Sequence, residues 1–471
     1  MEEITQLKYP LEKFLLQYYE TNAQAWDLTD HPKVAGLRHE AIKYFKSHGF
    51  PNNRMEKWRS TDLEGIYETS LSIFDEDIPF EKEISEIFLC EVHGFNTQVI
   101  SLLNGRYYSP EAQRLTVSEE GVIVGSLAKA FEAYPELIEK YYGEISGPPE
   151  DGFKAINAAF SRDGAFVFVP DGVEVKNTLQ LIKILDQPNS LVNTRNLIVL
   201  GRNSKLTFLL CDDSINHHEG FTNTVNEFYL HENAELELYK LQNLNDESVL
   251  LNQSYVHQDA NSRLKINNLT LNGGMVRTEI TNHLNGEGAE SEIYGLYLLD
   301  KEQHTDNQVY VNHNVPHCNS TQLFKGILDD KATGVFNGLI HVARGAQKTN
   351  AFQRNSNILL KTSAHIDTQP QLEIYADDVK CSHGATVGQL DYEALFYLMQ
   401  RGIPYVDARM LLLFAFADDV ISKISIKALR ISLQDMVKRR IRGELSICDR
   451  CVLHCSHPEQ PIVFDIDLSK I

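Results

Sequence analysis

Four stretches of the chain repeat one pattern: Asn203-Ser-Lys-Leu-Thr-Phe, Asn233-Ala-Glu-Leu-Glu-Leu, Asn261-Ser-Arg-Leu-Lys-Ile and Gly288-Ala-Glu-Ser-Glu-Ile. Each stretch opens with a residue that tolerates a left-handed backbone and continues into an alternating strand. The opening residues lie 30, 28 and 27 positions apart, and looser copies begin at Ala332 and Ala364. A turn and a strand that recur at this interval are typical of a solenoid, in which each coil buries its apolar side against its neighbours.

The repeats predict a mainly β protein with a β-solenoid core. The strands are short and regularly spaced, and no long helical pattern separates them, which argues against βαβ crossovers. A β-sandwich is the structural alternative that this pattern leaves open.

Helical patterns flank the repeats on both sides. Residues 9–21 and 33–47 carry apolar side chains three and four positions apart, and Asp391 is placed to cap a later helix. We interpret Trp58 and Arg59 as a buried tryptophan with a stacked arginine that packs the first helices onto the core; a recognition surface is the alternative. The expected domains are an N-terminal helical domain over 1–95, a β-helix core over 96–390 with a helical insertion at about 127–160, a C-terminal helical domain over 391–446 and a Cys/His-rich tail over 447–471.

The chain is acidic, which argues against two classes of partner. Its 471 residues include 44 basic and 65 acidic side chains, for a formal net charge of −21. That charge repels phosphate backbones and anionic lipid surfaces, so neither nucleic acid nor a membrane is expected as a partner. The start of the chain has no signal-peptide pattern, and the seven cysteines do not suggest a disulfide framework, so we expect a cytoplasmic protein.

The sequence shows no common catalytic motif. It contains no phosphate-binding Gly-x-x-x-x-Gly-Lys-Ser/Thr loop, no Gly-x-Ser-x-Gly elbow and no His-Glu-x-x-His helix. Glu235, Glu237, Glu290 and Glu292 alternate along the repeated strands, as in a carbohydrate-active enzyme built on a β-helix. Carboxylates at alternate positions are more often the solvated face of a half-buried strand, so we expect no enzyme activity.

A thiol and an imidazole are paired near the end of the last strand. Cys381 and His383 lie in the stretch Leu372-Glu-Ile-Tyr-Ala-Asp-Asp-Val-Lys-Cys-Ser-His-Gly-Ala-Thr-Val-Gly-Gln389. Residues two apart in a strand point to the same face, so this pair offers sulfur and nitrogen ligands suited to zinc or iron. The alternative is a small buried cysteine beside a histidine at a strand end.

The tail holds a denser group of metal-ligand residues, opened by Cys-x-x-Cys: Cys448, Cys451, His454, Cys455 and His457. Such a set supplies enough donors for a tetrahedral zinc or a small cluster, and a self-contained metal-binding adaptor would work through it. A redox-active tail without metal is the alternative. A looser group is interpreted as mostly structural, because its spacing is irregular, with a metal site as the alternative: His304, His313, His317 and Cys318.

Several longer motifs carry a family resemblance. They are Met55-Glu-Lys-Trp-Arg-Ser-Thr-Asp-Leu63, Gly164-Ala-Phe-Val-Phe-Val-Pro-Asp-Gly-Val173, Lys325-Gly-Ile-Leu, Val335-Phe-Asn-Gly338, Ala346-Gln-Lys-Thr349, Gln353-Arg-Asn-Ser-Asn-Ile-Leu-Leu360 and Glu373-Ile-Tyr-Ala-Asp-Asp-Val-Lys-Cys-Ser-His-Gly-Ala-Thr386. With these motifs the chain resembles the SufB/SufD family, scaffold subunits of the Suf iron–sulfur cluster assembly system. It is closer to the SufD branch, since Arg354, Asn355 and Ser356 occupy the segment in which the SufB branch has a cysteine, and Gly384 replaces an acidic residue.

The resemblance implies a right-handed parallel β-helix and a non-catalytic role. It implies pairing with a SufB-like subunit through the ends of the two β-helices, and recruitment of a SufC-like ABC-type ATPase by the C-terminal helices. A transient iron–sulfur cluster or iron is then held at the SufB–SufD junction, with His383 as the motif histidine and Cys381 as a weaker candidate. The sequence leaves open a homodimer of isolated chains, a zinc ion at the tail and the reduced flavin associated with the assembled family complex.

Overall fold

The computed structural model describes residues 7–74, 97–109, 113–214 and 218–442. Within these ranges, twenty strands form two ten-stranded sheets. The strands are β1 Thr97–Leu103, β2 Arg106–Tyr108, β3 Leu115–Val117, β4 Ile123–Ser126, β5 Ala165–Val169, β6 Thr178–Leu185, β7 Ser190–Leu200, β8 Lys205–Ser214, β9 Gly220–Leu230, β10 Glu235–Asn243, β11 Ser248–Gln258, β12 Arg263–Asn272, β13 Met275–Leu284, β14 Glu290–Leu299, β15 His304–His313, β16 Asn319–Leu328, β17 Thr333–Val342, β18 Asn350–Leu359, β19 His365–Ile374 and β20 Lys380–Gly388.

From β5 onward the chain alternates between the two sheets. Odd-numbered strands pair with odd-numbered strands in one sheet, and even-numbered strands pair with even-numbered strands in the other. Each of these pairings is parallel. One odd strand and the even strand that follows it make one coil, and eight coils follow one another, from β5 and β6 to β19 and β20. This winding confirms the predicted parallel solenoid, because the sheets of a sandwich are antiparallel.

The repeated turns form one corner of the solenoid. Asn203, Asn233 and Asn261 have φ angles of 54°, 57° and 55°, and Gly288 has a φ of 76°. These values confirm the left-handed backbone predicted for the repeat. Successive turns are joined by hydrogen bonds, among them the one that the Asn233 side-chain amide donates to Asn203 Oδ1 over 2.9 Å.

The looser copies expected at Ala332 and Ala364 belong to the opposite corner. Both residues lie between an even and an odd strand, whereas the repeated turns lie between an odd and an even strand. The first corner continues instead at His317 and Lys348, with φ angles of 62° and 60°. Histidine and lysine rarely adopt a left-handed backbone, so the sequence pattern does not indicate that this corner continues at His317 and Lys348.

The interior of the solenoid combines apolar packing with amide ladders. Leu206 and Phe208 are fully buried between the sheets, and the next two coils bury Leu236, Leu238, Leu264 and Ile266 at the same positions. Elsewhere in the interior, Asn196 donates to Asn226 Oδ1 over 2.8 Å, and Asn226 donates to Asn252 Oδ1 over 2.9 Å. Because each amide needs a partner in the next coil, the ladders hold neighbouring coils in register.

In the described ranges, six α-helices precede β5: α1 Pro10–Thr29, α2 Pro32–His48, α3 Glu64–Tyr67, α4 Leu127–Ala133, α5 Pro135–Glu139 and α6 Gly152–Phe160. Phe153 of α6 packs with Phe221 of β9, so this layer covers the sheet of odd strands. Trp58 is only 3% exposed, as predicted, but its stacked guanidinium belongs to Arg277 of β13, 3.9 Å from the ring. Arg59 is exposed.

Three further helices of the described ranges pack on the sheet of even strands: α7 Tyr392–Gln400, α8 Tyr405–Ile421 and α9 Lys427–Ile441. Asp391 caps α7 as predicted, its Oδ1 accepting hydrogen bonds from the Glu393 and Ala394 amides, both over 3.0 Å. Arg440 of α9 bonds to Asp300 at 2.6 and 2.8 Å. Its charge therefore serves to dock the helix on the coils. None of the helices in the described ranges has the length and apolar character needed to cross a bilayer.

Candidate functional site

The C-terminal end of the solenoid is open. In the described part of the chain, β19 and β20 are the last strands of their sheets, and each pairs with one neighbour only. All residues of β20 are exposed except Cys381, which is half-buried. Apolar side chains surround this end; the exposed fractions of Phe352, Tyr375 and Val387 are 45%, 59% and 47%. An unpaired strand edge with apolar side chains around it is typical of a protein interface.

The strand register places Cys381 and His383 on the inward-facing side of the last coil. Cys381 is paired with Ala351, and His383 with Gln353, both of which are buried in the coil below. The Gln353 amide donates to Gln322 Oε1 over 2.8 Å and approaches Gly338 of β17 so closely that no side chain fits there. His383 therefore stands above an inward-pointing amide ladder, at the mouth of the solenoid.

The thiol and the imidazole lie in different surroundings. Cys381 packs against an apolar cluster that includes Ile340, Val342 and Ala351. Burial raises the pKa of the Cys381 thiol, which disfavours the thiolate needed to bind a metal. His383, by contrast, is exposed. Of the two side chains, that of His383 is the better placed to contact a group outside the chain.

His383 has no set of metal ligands around it within the described ranges. There, no group of three or more His, Cys, Asp or Glu side chains is arranged to hold a metal ion. The residues of the predicted tail site, Cys448, Cys451, Cys455 and His457, lie outside the described residues, as does His454.

The looser histidine group does not converge on one point. His304 contacts the hydroxyls of Thr61 and Thr333, and burial lowers the pKa of its imidazole. His313 is fully buried beside Ser320, whereas His317 is an exposed corner residue. The Cys318 thiol donates to the Gly286 carbonyl over 3.4 Å. These contacts are those of structural residues.

The repeated carboxylates lie on the outer face of the even-strand sheet and are paired with cations or hydroxyls. Glu235 contacts Lys205 at 3.2 Å and Arg263 at 3.3 Å, and Glu290 contacts Arg263 at 3.5 Å. Glu237 accepts a hydrogen bond from the Tyr239 hydroxyl over 2.8 Å. Glu292 is exposed and shares a hydrogen bond with Tyr294. The four carboxylates therefore belong to the outer face predicted for a half-buried strand.

The α7–α8 surface is a second exposed apolar area. Its members are strongly exposed: Tyr392 63%, Phe396 63%, Tyr397 58%, Met399 41%, Tyr405 53% and Val406 68%. One apolar face of α7 comprises Leu395, Phe396, Leu398 and Met399. Only Leu395 is buried and Leu398 partly packed, so that face is divided between core and solvent. Consecutive large apolar residues around the α7–α8 turn are the signal that could have revealed it.

Two family models together match most of the chain. The model described as SUF system FeS cluster assembly, SufBD core domain, matches residues 183–416, and that of the SufBD protein N-terminal region matches residues 10–181. The chain is 30% identical to the iron–sulfur cluster assembly protein SufD of Escherichia coli over 404 residues, which are 84% of this chain and 90% of that protein.

Two further relatives agree with these matches. An iron–sulfur cluster assembly SufBD family protein of Synechocystis is 29% identical over 422 residues, which are 88% of this chain and 92% of the relative. SufD of Bacillus subtilis is 27% identical over 330 residues, which are 69% of this chain and 75% of that protein. The two-sheet solenoid, its flanking helices and these similarities lead to one conclusion: the chain belongs to the SufBD family of iron–sulfur cluster assembly proteins.

Proposed function

We propose that the chain is a non-catalytic scaffold subunit of a cytoplasmic Suf complex. In this role it pairs with a SufB-like subunit through the open end of its solenoid and recruits a SufC-like ABC-type ATPase through the α7–α8 surface. The observation that carries the proposal is the exposed imidazole of His383 on β20, an edge strand that pairs on one side only within the described chain.

The open end is suited to a partner of the same architecture. β19 and β20 are ten and nine residues long, and each presents one row of backbone groups that no strand in the described chain pairs. A second solenoid that continues both sheets would satisfy these groups and bury the apolar side chains at the mouth. Tyr375, just after β19, and Val387, near the end of β20, would be covered by such a junction.

His383 would then face the partner subunit. A neutral imidazole is a common ligand of iron and zinc, and one donor cannot hold a nascent cluster without others. The SufB-like subunit would supply the remaining ligands of the cluster, which is the cargo of the complex. Cys381 is the weaker ligand candidate, because it packs into the apolar wall beneath.

Replacing His383 tests the site. We expect His383→Ala to abolish cluster maturation in cells while the purified subunits still assemble, because an exposed side chain contributes little to folding. His365→Ala is the matched control, since His365 is exposed on the outward side of the other edge strand. Normal maturation by His383→Ala would remove the proposed role of this residue.

Affinity capture tests the partners. The full chain, co-expressed with a SufB-like subunit and a SufC-like ATPase, should retain both through purification. Failure to retain either one would contradict the scaffold proposal, even if His383 proves essential.

We propose a separate zinc site for the tail. Cys448, Cys451, Cys455 and His457 supply four donors of the types that tetrahedral zinc prefers. Metal analysis of the full chain and of a chain ending at Ser446 should show about one zinc fewer per shortened chain. Equal metal content would exclude the tail site without affecting the scaffold proposal.

A further inference from the structure

The Gln322–Gln353 ladder beneath His383 has a direction. Gln353 Nε2 donates to Gln322 Oε1 over 2.8 Å, so the Gln353 nitrogen points away from the mouth, toward the coil below. At the lower end, Gln322 Nε2 has no hydrogen-bond partner among the described residues. Because the nitrogen and the oxygen of an amide diverge, the oxygen of Gln353 faces the opposite way, toward the last coil.

The upper end of this ladder is an acceptor without a donor. Gln353 is only 3% exposed, and its Oε1 is buried with no hydrogen-bond partner among the described residues. A buried oxygen that has lost water and gained no donor costs about 1–3 kcal/mol. Buried side-chain oxygens are for this reason nearly always paired in proteins. The donor is expected from the coil above, which is the last one of the described chain.

The last coil offers one suitable donor. Four side chains of β20 lie in register above buried residues of β18: Cys381, His383, Ala385 and Val387. Of these only the imidazole donates strongly, since a thiol is a weak donor and the other two side chains carry none. On β19, the hydroxyl of Thr368 points inward as well, but it already donates to Asn355 Oδ1 over 2.9 Å.

The strand register brings His383 within reach of the oxygen. His383 and Gln353 are direct partners in the parallel pairing of β20 and β18. Gln353 and Gln322 have the same relation one coil lower, and their side chains already bridge that spacing with a hydrogen bond. The Gln353 oxygen is unpartnered in this conformation, so the bond forms when the exposed ring of His383 turns inward.

We propose that Gln353 is a positioning residue for His383, whose ring N–H donates a hydrogen bond to Gln353 Oε1. The inference rests on the proposed function of His383 as a ligand. A neutral imidazole has one N–H and one lone pair, so this bond fixes the tautomer and leaves the lone pair on the other nitrogen. That nitrogen is directed away from Gln353, toward the mouth and the partner subunit. Histidines that bind metals usually donate their second nitrogen in this way.

The ring-nitrogen NMR shifts of His383 test the bond in the full chain, without a partner or a cluster. At about pH 8 an ordinary imidazole is neutral, and nitrogen-15 shifts distinguish its protonated from its unprotonated nitrogen. His383→Gln identifies the signals of residue 383. We expect one tautomer to dominate by about fivefold or more, and Gln353→Leu to shift the ratio toward that of free histidine. Unchanged shifts in Gln353→Leu would overturn the proposal.

Gln322→Leu is the matched control. It removes the same hydrogen bond between the two amides but leaves the Gln353 oxygen below His383. Both variants should lose similar stability in urea denaturation, while only Gln353→Leu changes the His383 tautomer and lowers cluster maturation in cells, by about tenfold or more. Equal losses of maturation in the two variants would assign the effect to a weakened coil and refute the positioning role.

The two readouts separate this inference from the proposed function. If His383→Ala matures clusters normally, the proposed function fails, and the positioning role fails with it. If His383→Ala abolishes maturation but Gln353→Leu leaves the His383 tautomer unchanged, only the positioning role fails.

Discussion

The two ends of the solenoid are finished in different ways. At the N-terminal end, β2 and β3 fold back antiparallel on β1 and β4, and each of these edge strands is three residues long. At the C-terminal end, the edge strands β19 and β20 are parallel and have ten and nine residues. Short edges discourage strand addition and long regular ones invite it. The same coil geometry therefore supplies a terminus at one end and, in the proposed function, a docking edge at the other.

The largest expected effect comes from a charge at the docking edge. Val387→Lys should weaken pairing with a SufB-like subunit by about 100-fold or more, because the junction would bury an unpaired ammonium group. Val117→Lys at the opposite end is the control, since Val117 of β3 is similarly exposed, at 54% against 47%. Binding of each purified variant to the partner measures the difference. Equal losses for the two variants would erase the functional distinction between the ends.

The second effect separates the docking edge from the α7–α8 surface. Phe396→Asp should weaken binding of the SufC-like ATPase by about 2–4 kcal/mol, the usual cost of losing an aromatic anchor, while pairing at the open end persists. Ile431→Asp is the matched control, because Ile431 is a 54% exposed residue of α9, outside this surface. Binding of the ATPase is measured for both variants. Loss of both partners in Phe396→Asp would show that the two surfaces are not independent.

The third effect contrasts a histidine inside the coils with the one at the mouth. Burial lowers the pKa of His313 to about 4, below its unfolded value of about 6.5. Between these values the unfolded chain binds more protons than the folded chain. The free energy of unfolding therefore falls as the pH drops through this window, and His313 accounts for about 2 kcal/mol of that loss from pH 7 to pH 5. Urea unfolding at both pH values should show a smaller loss for His313→Gln. A matching loss would assign the pH dependence to other groups.

The smallest expected effect concerns the left-handed corner turn between β9 and β10, in the middle of the solenoid. Asn233→Ala should be less stable than Asn233→Gly by about 1 kcal/mol, because the φ of 57° strains alanine but not glycine. Both variants lose the hydrogen bond to Asn203, so their difference isolates the backbone. Urea denaturation of the two proteins measures it, and equal midpoints would mean that the turn relaxes.

Local signals in the sequence predicted much of this fold. Asparagine and glycine at fixed spacing predicted the left-handed corners, and alternation with period two predicted that Cys381 and His383 share one face. The pattern failed where the same corner uses His317 and Lys348, because neighbouring coils hold these residues in a conformation that they rarely adopt alone.

Contacts between distant residues were beyond the reach of the pattern. The arginine stacked on Trp58 is Arg277, more than two hundred positions away, and the Arg440–Asp300 pair joins a helix to a coil. The position of His383 at an open mouth depends on the lack of a further strand beyond β20 in the described chain, which no local signal encodes.

The Arg440 contact has a mechanical consequence. This side chain bonds to the Leu271 carbonyl over 2.8 Å and to Asp300, and Lys325 bonds to Asp419 of α8 at 2.8 Å. These hydrogen bonds and ion pairs fix the C-terminal helices to coils in the middle of the solenoid. A force applied to the α7–α8 surface would therefore reach the middle of the solenoid through the ion pairs of Arg440 and Lys325.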